Sequence, residues 1–209
     1  MVAGKVTGKV AGKVSGKVPN DRVYELRVEL EHIQPPIWRI VTVPGNLSLF
    51  ELHEVILRVM GWLGYHLYQF EKDHDYFGEA NPDMTEMQDA KCVRLSDLVT
   101  SAKSRLNYTY DFGDEWSHIL RVVTIREAAP GERVPQCLDG SRACPPEDSG
   151  GPWGYDEFLE VINDPQHPEH EEWLEMVDEE WDSEQFDREA VNKRLWAYAH
   201  SADWAILGE

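Results

Sequence analysis

Two short stretches concentrate the side chains that could do chemistry. The run YTYDFGDEWSH (108–118) brings Asp111, Asp114 and His118 close together, and CLDGSRACPPEDSGG (137–151) sets Glu147 and Asp148 behind Cys137 and Cys144. Carboxylates and an imidazole can hold a divalent metal ion and activate water on it. Asp111, Asp114, His118, Glu147 and Asp148 are therefore the candidate catalytic residues. A thiolate version would bind metal through Asp111, Asp114, His118, Cys137 and Cys144. Its Cys-x6-Cys spacing is wider than that of most structural zinc sites, and two thiolates alone do not complete a tetrahedron, so a ligand such as His118 or His66 would be needed. Two free, partly buried thiols in a reduced protein are the blander account.

Each stretch also has a purely structural reading. Asp111-Phe112-Gly113 matches a kinase tripeptide, but the chain has neither a glycine-rich loop followed by a strand lysine nor an HRD catalytic loop. In a tight connection Gly113 relieves the backbone, Asp111 and Asp114 accept turn N–H groups, and Tyr110 and Trp116 pack inward. A third segment, 62–77, carries His66, Asp73, His74 and Asp75. His66, Tyr68, Trp116 and Trp153, with Trp62, could line a small-ligand site. A lone histidine on an apolar strand face is more often a hydrogen-bonded core residue, and Asp73-His74-Asp75 reads most simply as a polar turn. His53 is one titratable group with no evident orienting partner. No Gly-x-Ser-x-Gly elbow, phosphate-binding Gly-x4-Gly-Lys-Ser/Thr loop or His-Glu-x-x-His helix is present.

The elements that must position these residues are read from periodicity. Residues 22–32 alternate, with Tyr24, Leu26, Val28 and Leu30 on one side of a strand. Pro35-Pro36 makes a turn into a second strand over 37–43. Ser48 and Glu51 fit a capping box that opens a helix to about Trp62, with Leu52, Val55, Ile56, Val59 and Met60 on one face. A third strand is expected over 66–72, with His66, Tyr68 and Phe70 on one face. Residues 78–93 are polar and turn-like, and Leu95–Val99 is one helical turn. A hairpin spans 105–112 and 116–126. Residues 133–152 read as a long loop, and loops of that length are often functional. Helices follow over about 153–163, 168–180 and 184–200. Strands first and helices late predict an α+β fold, a mostly antiparallel sheet with one early helix packed on it and a C-terminal set of helices.

Composition bounds the setting. Residues 2–17 repeat a four-residue Gly/Lys unit, a tail over 1–20 that cannot build a core, so one domain is expected over 21–209. The net charge is −19, and residues 145–209 hold 19 acids against Arg188, Lys193 and Arg194. Such a field repels phosphate backbones, so nucleic acid is not expected on the C-terminal face, whereas a basic protein partner or divalent cations would suit it. No apolar run is long enough to span a bilayer and no apolar leader opens the chain. Cys92, Cys137 and Cys144 are too few for a disulfide scaffold, which points to cytoplasmic residence with reduced thiols.

Taken together, LFELHEVILRVMGWLGYHLYQFE (49–71), YTYDFGDEWSH (108–118) and CLDGSRACPPEDSGGPWGY (137–155) resemble the plasmid pRiA4b ORF-3-like family. Weaker similarity runs through 163–170 and 185–196. The resemblance implies an α+β domain of bacteria and archaea, carried on plasmids or beside insertion sequences. Some members are labelled resolvase-like, but this chain has no serine- or tyrosine-recombinase layout. Ser149 stands where many members have cysteine, which removes a third thiolate. Two functions are carried forward: an accessory or interaction domain with an acidic surface, and a metal-assisted hydrolase or nuclease-like enzyme.

Overall fold

A computed structural model describes residues 22–80, 87–178 and 181–201. The Gly/Lys tail lies outside the described residues. The fold is α+β, as the order of periodic segments predicts. Eight strands form one sheet: β1 (Arg22–Leu30), β2 (Trp38–Pro44), β3 (Tyr68–Lys72), β4 (Asp75–Gly78), β5 (Met87–Asp89), β6 (Arg105–Tyr110), β7 (Trp116–Glu127) and β8 (Gln136–Ser141). Their order across the sheet is β5-β4-β3-β6-β7-β1-β2-β8. Every pairing is antiparallel except β4 with β5. The helices are α1 (Leu49–Met60), α2 (Leu95–Leu98), α3 (Gly151–Asn163), α4 (His170–Leu174) and α5 (Arg188–Ser201).

Alternation explains the buried face. Tyr24, Leu26, Val28 and Leu30 of β1, Tyr68 and Phe70 of β3, Leu106, Tyr108 and Tyr110 of β6, and Trp116, Leu120 and Val122 of β7 are all buried. Helix α1 supplies Leu52, Val55, Ile56 and Val59 to the same core. It starts where the capping box predicts: Ser48 Oγ accepts from Glu51 N–H, and Glu51 accepts from Ser48 N–H at 2.7 Å. It stops at Gly61, whose φ of 102° is cheap only for glycine. The Asp73-His74 turn links Lys72 to Asp75 with φ values of 51° and 72°, the two-residue geometry that matches strand twist.

The region read as one loop over 133–152 is partly strand. β8 pairs with β2 at the sheet edge. Its QCLDGS sequence hides the strand, because Asp139 and Gly140 are poor strand formers. The free side of β8 is covered by α5, where Asn192 accepts from Cys137 N–H and donates to Cys137 O, both at 2.8 Å. Likewise β5 lies inside the turn-like 78–93. The expected strand over 66–72 begins at Tyr68, which leaves His66 in a bend before it. Helix α4 is a short piece of the expected 168–180.

Candidate functional site

The register builds one row at the end of three strands, with Tyr68 opposite Tyr110 and Tyr110 opposite Trp116. Just beyond that row lie the α1–β3 loop and the β6–β7 turn. They are tied where Asp111 N–H donates to Leu67 O at 2.9 Å. The turn is held by Asp111 itself, whose Oδ1 accepts from Gly113 N–H at 2.8 Å. Asp111 has φ 58°, a left-handed conformation that aspartate tolerates better than most residues.

The β8–α3 loop arrives from the other side. Asp114 Oδ2 accepts from Gly150 N–H at 3.0 Å. A Cβ on Gly151 would stand 2.1 Å from Asp114 O, so only glycine allows this approach. Trp62 Nε1–H donates to Pro145 O at 3.0 Å. Glu147 reaches across to accept from Leu63 N–H at 2.7 Å and from the Tyr110 hydroxyl. The two distinctive stretches of sequence therefore meet, together with the loop that carries His66.

At their meeting point His66 stands between two carboxylates. Its Nδ1 is 3.5 Å from Asp111 Oδ2 and its Nε2 is 3.1 Å from Asp148 Oδ1. The Nε2 contact is close but not aligned as a hydrogen bond. One ligand atom from each of His66, Asp111 and Asp148 lies within 4.8 Å of the others, the one such set of His, Cys, Asp and Glu among the described residues. Asp111 is buried, whereas the Asp148 side chain is 70% exposed, so the cluster opens to solvent. Neither carboxylate pairs with lysine or arginine among the described residues.

The other candidates sit elsewhere. His118 is fully buried on β7, on the same face as Trp116 and Leu120, and points into the core rather than toward Asp111. Its Nδ1–H donates to Trp116 O at 2.9 Å, and burial pushes its pKa down to about 3. Cys137 and Cys144 are buried free thiols near Arg39; desolvation raises them to about 11 and about 12. They are far less ready than ordinary thiols to become thiolates, and they do not join His118. Tyr68 and Trp116 are core residues. Trp153 is 75% exposed and stacks on His32 with ring centroids 5.9 Å apart. Asp114 and Glu147 hold loops together. The periodicity argument missed His66 as a partner of the carboxylates, since it placed His66 on a strand face.

These features define a class: an antiparallel-sheet α+β protein with a His/carboxylate cluster where three loops converge at one end of the sheet. The chain belongs to the plasmid pRiA4b ORF-3-like protein family, whose model matches residues 22–190. It is similar to the uncharacterised protein y4hQ of Sinorhizobium fredii, at 40% identity over 187 residues, which is 88% of this chain and 94% of that one. Among solved structures it is similar to a protein of unknown function, MM3350, from Methanosarcina mazei Go1. That match has 38% identity and a TM-score of 0.72, and covers 80% of this chain and 96% of the other.

Proposed function

We propose that the chain is a divalent-cation-dependent hydrolase whose ion is held by His66, Asp111 and Asp148. The observation that carries the reading is the convergence of three ligand atoms within 4.8 Å. Two carboxylates face one imidazole, and neither is paired with lysine or arginine among the described residues. A dication offsets that negative charge. One nitrogen and two carboxylate oxygens suit Mn²⁺ or Zn²⁺. Three protein ligands leave coordination positions for water and substrate, the arrangement used in metal-assisted hydrolysis. The acidic surroundings favour a substrate other than a polynucleotide, because phosphate contacts rely on lysine and arginine.

The test is calorimetric titration of Mn²⁺ and Zn²⁺ into chelator-stripped full-length protein, followed by assays on chromogenic ester and phosphodiester substrates. One ion per chain is expected, with affinity reduced at least about tenfold in Asp111→Asn and in Asp148→Asn. Equal uptake by the double variant would sink the assignment.

A second reading, an accessory domain that meets a basic protein partner, draws on the C-terminal surface. Leu174 is exposed there beside Asp178 and Asp182, in a groove also lined by Ile162, Val177 and Trp181. Capture that is equally strong at low and high salt would count against an electrostatic partner.

A further inference from the structure

We propose that Tyr110 and Glu147 are positioning residues, a hydrogen-bonded relay that fixes the spacing between His66 and Asp148. The proposal rests on the cation reading above. Glu147 immediately precedes Asp148. Its Oε2 accepts from Leu63 N–H at 2.7 Å, and its Oε1 accepts from Gly64 N–H at 3.4 Å and from the Tyr110 hydroxyl. The Tyr110 oxygen in turn accepts from His66 N–H at 3.4 Å. The backbone of one ligand is thus connected, through one phenol, to the side chain next to another ligand.

All the groups that reach Glu147 are donors. A carboxylate accepts at both oxygens, whereas the amide of glutamine would turn its NH₂ toward at least one of those donors. The segment is pinned at its ends, where Trp62 Nε1–H donates to Pro145 O and Leu67 O accepts from Asp111 N–H, and Glu147 holds the stretch between them. Leu63, Tyr65 and Leu67 are 65%, 77% and 52% exposed, so burial of apolar surface contributes little to the path of the loop. The phenol, by contrast, is anchored: Tyr110 is buried and stacks on Trp62 with centroids 5.0 Å apart. The relay therefore transmits the position of the rigid core to two ligands on loops, the usual task of groups behind a metal site.

The experiment uses full-length protein as wild type, Glu147→Gln, Tyr110→Phe and Asp148→Asn. Mn²⁺ affinity is read by electron paramagnetic resonance, and amide exchange is followed over 62–67 and 145–150, with 105–110 reporting the sheet. Glu147→Gln should weaken Mn²⁺ by about tenfold or more and speed exchange in both loops while the sheet is unchanged. Tyr110→Phe should move both readouts in the same direction by less. Asp148→Asn should weaken Mn²⁺ without speeding exchange over 62–67. Unchanged Mn²⁺ affinity in Glu147→Gln, or unchanged exchange over 62–67, overturns the relay. If wild type takes up no Mn²⁺, the cation assignment fails, and the exchange measurement still decides whether Glu147 ties the two loops.

Discussion

His118 and His66 stand at the two ends of one aromatic wall. His118 meets the edge of Trp62 with centroids 5.4 Å apart, Trp62 stacks on Tyr110 at 5.0 Å, and Tyr110 meets His66 at 5.7 Å. The ring type and the wall are the same, yet the chemistry differs. The nitrogens of His118 meet the backbone of its own and the neighbouring strand, at Trp116 and Tyr108, and otherwise packed core. The nitrogens of His66 lie within 3.5 Å of two carboxylates, of which the Asp148 side chain is largely exposed. Burial makes the first imidazole a neutral packing group, while flanking acids make the second a candidate ligand. Residue type alone assigns neither role.

The largest effect expected from this contrast is loss of stability in acid. His53 resembles His118: it stacks on Tyr68 with centroids 3.6 Å apart, and its Nδ1 is 2.8 Å from the Tyr108 hydroxyl. Burial, helped by the Arg58 charge, holds it at about 3. In the unfolded chain both imidazoles titrate near 6.5. Between pH 6.5 and 3 the unfolded state binds more protons, so stability present above 6.5 is lost as the pH falls. The slope is about 1.4 kcal/mol per pH unit for each histidine. Urea midpoints at pH 7, 5.5 and 4 should fall accordingly, and His118→Phe should remove about half of the slope these two residues contribute. An unaltered slope in that variant would place His118 on the same footing as a surface histidine and erase the contrast.

The next effect concerns how the acidic loop is seated. Gly151 has φ 70° and a Cβ there would meet Asp114 O, whereas Gly131 has φ 73° and nothing within 4 Å. Both alanine variants carry backbone strain, of order 1 kcal/mol. Gly151→Ala must also push the β8–α3 loop away from the β6–β7 turn, for a total of about 1–3 kcal/mol. It should lower the urea midpoint more than Gly131→Ala does and, unlike Gly131→Ala, weaken Mn²⁺ binding. Equal Mn²⁺ affinity in the two variants would show that the seating of this loop does not set the site.

How much of this was legible follows from which residues obey a local rule. The start of helix α1 could be read because Ser48 and Glu51 carry it in their own chemistry, whereas its stop at Gly61 went unread and the helix was expected to reach about Trp62. The buried face of β1 could be read because Tyr24, Leu26, Val28 and Leu30 alternate without interruption. The same alternation along β7, with His118 two residues from both Trp116 and Leu120, already marks His118 as inward. Grouping it with Asp111 and Asp114 followed closeness in sequence instead. His66 shows the reverse: counting it into β3 extended alternation past the first strand residue, Tyr68, into a bend where period two no longer applies. β8 was hidden because an edge strand covered by Asn192 needs little β-propensity of its own. The meeting of 62–67 with 145–150 depends on contacts more than 80 residues apart, such as Leu63 with Glu147, which no local pattern encodes.

The smallest effect on stability is expected from Asp148→Asn. Its side chain is 70% exposed, and among the described residues its charged-group contact is with His66. Exposed pairs of this kind are worth about 0–1 kcal/mol, and replacing one of two facing carboxylates also relieves like-charge repulsion. The two effects oppose, so the unfolding free energy from urea titration should change by no more than about 0.5 kcal/mol in either direction. A structural carboxylate behaves otherwise: Asp114→Ala leaves Gly150 N–H without its partner and should cost about 1 kcal/mol. If Asp148→Asn destabilises the chain as much as Asp114→Ala does, Asp148 is holding the fold and the distinction between ligand and strap disappears. If it leaves stability in place while removing the cation, the exposed carboxylate is there for what it binds.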